Sequence, residues 1–284
     1  MKRKPYWTAQ LQKIPNLRKI QMIQDTLGDR LKAIEQVEAG RKAVKGKPLL
    51  ARLDGRAFHT FTKGLARPYD ERMSKLMIDT TKYLVEQTQA VVGYTQSDEI
   101  SLVWYESADS TGQYLFDGKF QKLTSVLSSI ATCFFMKELM EDAIVEKKYE
   151  MPTFDCRVWQ SENLHDAYLN FLWRQDDAIK NAISMAAQAN FSHKQLQNVN
   201  SSQKKEMLAN AGIDFEAFPQ FFKSGTFVRR VTKEVELTDD ILAKIPKEHW
   251  PTGPVMRSTV EDVNMGPLRD YEYPEAQLLL GDPK

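Results

Sequence analysis

Two short acidic turns carry the residues best suited to chemistry. In the stretch Leu49 to Phe61, LLARLDGRAFHTF, an apolar run ends in Asp54, and Gly55 and Arg56 follow at once. The second turn is QSDE, Gln96 to Glu99, lying between two further apolar runs. A carboxylate at the carboxyl end of a buried strand sits where the backbone leaves a sheet, the usual place for a ligand. Gly55 permits a sharp turn and a close approach to its backbone. Should the two turns meet, Asp54 and Asp98 beside a backbone carbonyl form a hard, all-oxygen site suited to Mg²⁺. A pair of metals so held can activate an attacking oxygen and stabilise a leaving one in phosphoryl or nucleotidyl transfer. Successive N–H groups from Gly55 through Arg56 and Ala57 to Phe58 suit a triphosphate. Arg56, Arg67, Lys119 and Lys122 carry charge to neutralise it.

Each signal is ordinary when taken singly. An Asp-Gly pair is most often a plain turn, SDE in a hairpin is usually solvated, and Lys119 with Lys122 reads as an exposed helix face. His59 beside a strand is more often a packing residue than a phosphate ligand. Glu99 either supports the metal site or, by alternation with Asp98, points off the other face. Trp173 and Arg174 suit stacking or phosphate contact, and the basic runs Lys2–Lys4, Arg41–Lys47 and Arg229–Arg230 suit an RNA backbone.

The elements that must bring the turns together follow from hydrophobic periodicity. Ile20, Ile23, Leu27, Leu31 and Ile34 recur at helical spacing within Leu17 to Glu38. Strand-like runs cover Leu49–Leu53, Ala90–Tyr94, Ile100–Tyr105 and Phe154–Trp159. Helical patterns follow Asp70, run from Phe116 to Glu141, and run from Leu164 to Gln188. Past Phe191 the pattern weakens, with a hairpin expected over Thr226–Glu234 and Val255–Val260. The chain divides into an N-terminal helical segment (1–47), a palm-like domain (48–190) and a C-terminal helical and hairpin region (191–284) suited to RNA contact or oligomer packing. The core order is βαββαβ, an α/β chain of the α+β kind, as in ferredoxin-like folds, polymerase palms and nucleotide cyclases. A right-handed crossover makes the first two strands parallel, with the third between them and antiparallel to both. Asp54 and Asp98 then share one edge of the sheet.

Composition bounds the remainder. With 284 residues and 42% hydrophobic content, the chain has enough apolar material for a sizeable core. A formal charge of +1 provides no global positive field, so nucleic-acid contact must come from local patches. Cys133 and Cys156 form no metal-binding pattern or disulfide framework, and both are expected as reduced, buried thiols. The basic amino terminus lacks an apolar segment after it, and no run approaches the roughly 18 apolar residues of a membrane span. A cytoplasmic protein with no membrane partner is expected.

The stretches ARLDGRAFHTFTKGLARPYDERM and YTQSDEISLVW together closely resemble the tRNA-histidine guanylyltransferase superfamily, 3′-to-5′ nucleotide-adding enzymes with a polymerase-like palm. The likeness continues through LFDGKFQKLTSVLSSIATCFF, FDCRVW and NLHDAYLNFLWRQDDA, so it spans Leu27 to Ala187. The resemblance implies that Asp54, the Gly55 carbonyl and Asp98 bind two Mg²⁺ ions, with Glu99 assisting. It also implies that Asp54 to His59, with Ser97 and Asp98, hold a nucleoside triphosphate, ATP or GTP. Arg67 stands where the family usually has lysine, and Lys119 and Lys122 match basic positions of a family stretch in which Gly118 replaces an arginine. Trp173, Arg174, Asn181, Arg229 and Arg230 are candidates for RNA contact, and a homo-oligomer, a tetramer for preference, is expected.

One departure bears on the reaction. Eukaryotic guanylyltransferases carry HINxxY where this chain has Ile179 to Ser184, so Asn181 remains while Ile179 and Ser184 replace histidine and tyrosine. The chain resembles instead the family's bacterial, archaeal and viral "like" members, which repair truncated tRNA 5′ ends by templated addition. The implied reaction activates a 5′-monophosphate with ATP or GTP, after which the 3′-hydroxyl of an incoming nucleotide attacks the activated end. Rival readings are guanosine addition to tRNA-histidine, a nucleotide cyclase sharing the palm, and a non-catalytic RNA-binding protein of the same fold.

Overall fold

A computed structural model describes residues 27–141, 151–242, 245–251, 253–272 and 274–280. Lys2–Lys4 and the first part of the expected N-terminal helix lie outside the described residues. The strands are β1 (Leu49–Gly55), β2 (Val92–Gln96), β3 (Glu99–Trp104), β4 (Phe154–Gln160), β5 (Thr226–Val235) and β6 (Val255–Val263). The helices that matter here are α1 (Leu27–Ala39), α2 (Phe58–Phe61), α3 (Glu71–Thr88), α4 (Phe120–Glu141), α5 (Leu164–Asn190), α6 (His193–Leu196), α7 (Ser201–Asn210) and α8 (Gln220–Ser224).

All six strands join one antiparallel sheet in the order β4-β1-β3-β2-β5-β6. Its first four strands have the ferredoxin-like order. β3 pairs antiparallel with both β1 and β2, which makes those two parallel to each other, as the crossover argument requires. The C-terminal hairpin is not a separate sheet: β5 pairs with β2 through Thr226–Arg229, and β6 pairs with β5.

Side chains alternate across a strand, and both faces of this sheet are covered, which explains why β1 reads as a nearly continuous apolar run. Leu49, Ala51 and Leu53 pack with Leu76, Met77 and Leu84 of α3 and with Leu123, Leu127 and Phe135 of α4. Leu50, Tyr94 and Val103 pack on the other face with Ala167, Tyr168 and Phe171 of α5. Arg52 and Asp54 continue the Leu50 face toward the end of the strand. A third cluster joins Ala182, Ile183 and Ala186 of α5 to Leu208, Phe215 and Phe222, so the short C-terminal helices close over the far end of α5.

Several expectations change on contact with the structure. The helix expected from Phe116 starts at Phe120, because Phe116 (φ 53°) and Asp117 (φ 56°) are left-handed and form a 3₁₀ turn ahead of it. Asp117 is drawn aside by an ion pair with Lys42. Cys133, expected as buried, is exposed on α4, whereas Cys156 is buried and its thiol is pushed up to about 12 by that burial. By length and composition α4 would suffice to cross a membrane; here its Leu123, Leu127, Ala131, Phe135 and Leu139 form a buried stripe against the sheet. On α1, by contrast, the apolar stripe Leu27, Leu31, Ile34 and Val37 is exposed throughout.

Candidate functional site

The two acidic turns meet. The Gly55 N–H donates to the Asp98 carbonyl at 3.0 Å, and the register sets Asp54 directly opposite Glu99. One strand further, Asp54 faces Asp155 of β4. Asp54 is half-buried between them. Burial pushes the Asp98 carboxyl up, and the charge of Asp54 pushes it the same way, while hydrogen bonding to its own N–H and to Ser97 pulls it back. A buried carboxylate whose ionisation is opposed by a neighbouring one makes a place where a cation is stabilising.

The turn after β1 is built by packing beneath it. Phe58 is buried, with its ring centroid 5.1 Å from Phe61, 5.5 Å from Phe135 and 5.1 Å from Phe154. A Cβ on Gly55 would overlap the Phe58 ring, so glycine is required there for space. The left-handed residue of the turn is Ala57 (φ 56°), not Gly55, and the matching residue of the second turn is Ser97 (φ 51°). Each costs roughly 1–2 kcal/mol of backbone strain, held by the sheet on either side. Arg56 is exposed, and its N–H is taken by the Thr153 carbonyl at 2.8 Å.

A cleft of about 350 Å³ opens beside Asp98, within the range of a nucleotide-sized pocket. Phe58, His59, Arg67, Ser97, Asp98 and Asn181, all singled out from the sequence, line it together with Tyr69, Asp70, Phe221 and Phe222. Asp70 caps α3 by accepting from the N–H groups of Arg72 and Met73. The Arg72 side chain, with the Ala66 and Met73 N–H groups adding to it against the opposing effect of burial, holds the Asp70 carboxyl down at about 2.

Other candidates lie elsewhere. Glu99 and Arg174, expected at the metal and the RNA respectively, are each 7% exposed and bind one another: Arg174 donates from Nε to Oε1 at 2.6 Å and from Nη2 to Oε2 at 2.7 Å. Arg174 also meets Asp177 at 3.2 Å, and Arg52 stands 3.9 Å from Glu99. Burial pushes the Glu99 carboxyl up, with Arg174 opposing. Lys119 and Lys122 are not among the residues lining the cleft; they gather at the start of α4, Lys119 bridged to Lys42 and Lys122 over the Phe116 ring at 4.8 Å. Arg229 donates to the Gln277 carbonyl at 3.0 Å, and Arg230 points to Ser258 across the β5–β6 hairpin. Trp173 is 55% exposed.

Arg52, Asp155 and Asp177 were missed, whereas Asp70 was expected as a helix entry and is one. The signal for Arg52 was present, since it falls between Leu50 and Asp54 in steps of two and must share their face. Nothing local marked Asp155, which matters only because β4 pairs with β1.

A ferredoxin-like sheet with paired aspartates at one edge and a nucleotide-sized cleft beside them defines a palm-type α+β protein. The family model described as tRNAHis guanylyltransferase (Thg1) matches residues 29–162. A solved bacterial tRNA(His) guanylyltransferase (Thg1)-like protein in complex with ATP is 36% identical at a TM-score of 0.67, covering 72% of this chain and 88% of that one. A bacterial protein of the same description in complex with GTP is 30% identical at a TM-score of 0.69, covering 89% and 99%. The tRNA(His) guanylyltransferase of Schizosaccharomyces pombe is 26% identical over 211 residues, 69% of this chain and 78% of its own. The chain belongs to the tRNAHis guanylyltransferase family and is a nucleotidyltransferase.

Proposed function

We propose that this protein is a Mg²⁺-dependent 3′-to-5′ nucleotidyltransferase that adds nucleotides to the 5′ end of tRNA or a tRNA-like RNA, in templated repair of that end. The observation that carries the reading is the bond from the Gly55 N–H to the Asp98 carbonyl, which locks two acidic turns together beside the cleft. The relatives named for tRNA(His) support tRNA as the partner, and the bacterial structures with ATP and GTP support both nucleotides as substrates.

The donor set fits Mg²⁺. Among the described residues no three His, Cys, Asp or Glu side chains gather to hold a metal by themselves. Mg²⁺ typically takes one or two carboxylates and completes its shell with phosphate oxygens and water. Asp54, Asp98 and the Gly55 carbonyl would hold it, and the bound ion supplies activation of an attacking oxygen and neutralisation of phosphoryl charge. His59, Arg67 and Ser97 orient the nucleotide in the cleft, whose lining does not include Arg56. Glu99, with both oxygens on Arg174, fixes the strand that begins just after Asp98. In the reaction, the 5′-monophosphate of the RNA attacks ATP and releases pyrophosphate. The 3′-hydroxyl of the incoming nucleotide then attacks the adenylylated end and releases AMP.

Two further features belong to this reading. Templated repair rests on Ile179, which packs into the third apolar cluster, and on Ser184, which accepts from Lys204 at 3.1 Å, in place of a histidine and a tyrosine. The exposed stripe of α1 supports a homo-oligomer, with a tetramer the form we expect.

The test is a 5′-extension assay on a tRNA lacking its first nucleotide, with Mg²⁺ and each nucleoside triphosphate in turn. Watson–Crick-selected addition, abolished by Asp54→Ala or Asp98→Ala, is the expected result. Addition of guanosine whatever the template base would replace repair by guanosine addition to tRNA-histidine.

A further inference from the structure

The face of the sheet that carries Asp54 is only partly roofed by α5. Toward β4, the edge strand, Asp155 and Arg157 are exposed, and Trp173 of α5 keeps 55% of its surface open. An exposed indole on a long helix is commonly loose, but this one is held. The Arg174 guanidinium lies 4.6 Å from its ring centroid and that of Arg52 lies 5.6 Å away. Arg174 is in turn locked by its two bonds to Glu99. The ring is therefore fixed by charged groups rather than by a core, and it belongs to no apolar cluster among the described residues.

Its position relative to the site follows from strand geometry. Arg52 precedes Asp54 by two residues on the same face, a separation of about 7 Å. Arg157 stands directly opposite Arg52 in register. Its nearest carboxylate is Asp155 at 3.6 Å, with both side chains more than half exposed, a pair too wet to neutralise it firmly. An immobilised aromatic ring, flanked by guanidinium groups and one strand step from paired carboxylates, has the chemistry that binds an RNA end: the ring stacks on a base and the arginines meet phosphate.

We propose that Trp173 is the stacking platform for the terminal base or base pair of the RNA end presented to Asp54, with Arg157 contacting the adjacent phosphate. The proposal rests on the functional reading above and deepens it by assigning the surface that seats the RNA. That surface is distinct from the cleft, none of whose lining residues is Trp173, Arg52 or Arg157.

The test measures the affinity of the full chain for a fluorescently labelled tRNA lacking its first nucleotide, across a salt series, alongside ATP affinity and thermal stability. Trp173→Ala should weaken RNA binding about 5- to 150-fold, the range of one lost base–aromatic stack. Trp173→Phe should recover most of that loss, and both variants should keep wild-type ATP affinity and melting temperature. Arg157→Ala should flatten the salt dependence of RNA binding by a slope of about 1. RNA affinity unchanged by Trp173→Ala overturns the inference alone, as does a Trp173→Ala variant whose only change is in oligomeric state, since that ring would then face a second copy. A wild-type chain that binds ATP but no RNA overturns the functional reading, and this inference with it.

Discussion

Arg174 lays both arms of its guanidinium on the Glu99 carboxylate, at 2.6 and 2.7 Å, and so ties α5 to the strand that begins one residue after Asp98. Both side chains are buried, so neither charge tolerates the loss of its partner. Arg174→Met should destabilise the protein by about 3–5 kcal/mol, the cost of an unpaired buried charge, whereas Glu99→Met with Arg174→Met should be nearly neutral. Urea unfolding at neutral pH measures both. Activity then separates the roles: a double variant that extends RNA better than either single variant marks Glu99 as a positioning residue, and an inactive but well-folded double variant marks it as catalytic.

The acidic pair gives a prediction of opposite sign. Asp98 is pushed up by burial and by Asp54, so its charge opposes folding. Asp98→Asn should abolish nucleotide addition and yet raise the melting temperature. Added Mg²⁺ should raise the melting temperature of the wild type and leave that of the variant unchanged. A variant less stable than the wild type in the absence of metal would contradict the electrostatic account.

Asp70 sets the acid limit of the cleft wall. Its carboxyl is lowered in the folded state from the usual value near 3.8 to about 2, chiefly by Arg72. A depressed carboxyl contributes stability above its unfolded value, and that stability drains as pH falls through the folded one. Stability attributable to Asp70 should therefore vanish between about pH 4 and pH 2. It amounts to roughly 1–2 kcal/mol, toward the lower end because Arg72 is largely solvated. Asp70→Asn should lose that acid dependence, as read from unfolding midpoints across this range.

Gly55 is predicted to be intolerant for a steric reason. Because a Cβ there meets the buried Phe58 ring, Gly55→Ala should cost about 1–3 kcal/mol by overpacking. Adding Phe58→Leu should return part of it. Ala57→Gly, at a left-handed position, should be neutral or mildly stabilising, which would confirm that the turn's positive φ sits at residue 57 and not at residue 55.

The sequence alone determined the order of strands and long helices from β1 to α5, because hydrophobic periodicity is a local property and each of these core elements buries a stripe of its own residues. It also determined that Asp54 and Asp98 fall at strand ends, and a rule of handedness was enough to bring those ends to one edge. Asp98 lines the cleft with His59, Arg67 and Ser97, while Asp54 stands beside it on the adjoining strand. What only the tertiary structure decided is where the long side chains went. Arg174 left the surface for Glu99 because α5 crosses above β3, and Lys119 and Lys122 stayed outside the cleft because left-handed residues at 116 and 117 swing the start of α4 toward Lys42. Asp155 entered the site through strand pairing across a hundred residues of chain. Such contacts depend on distances between elements, and no periodicity within an element records them.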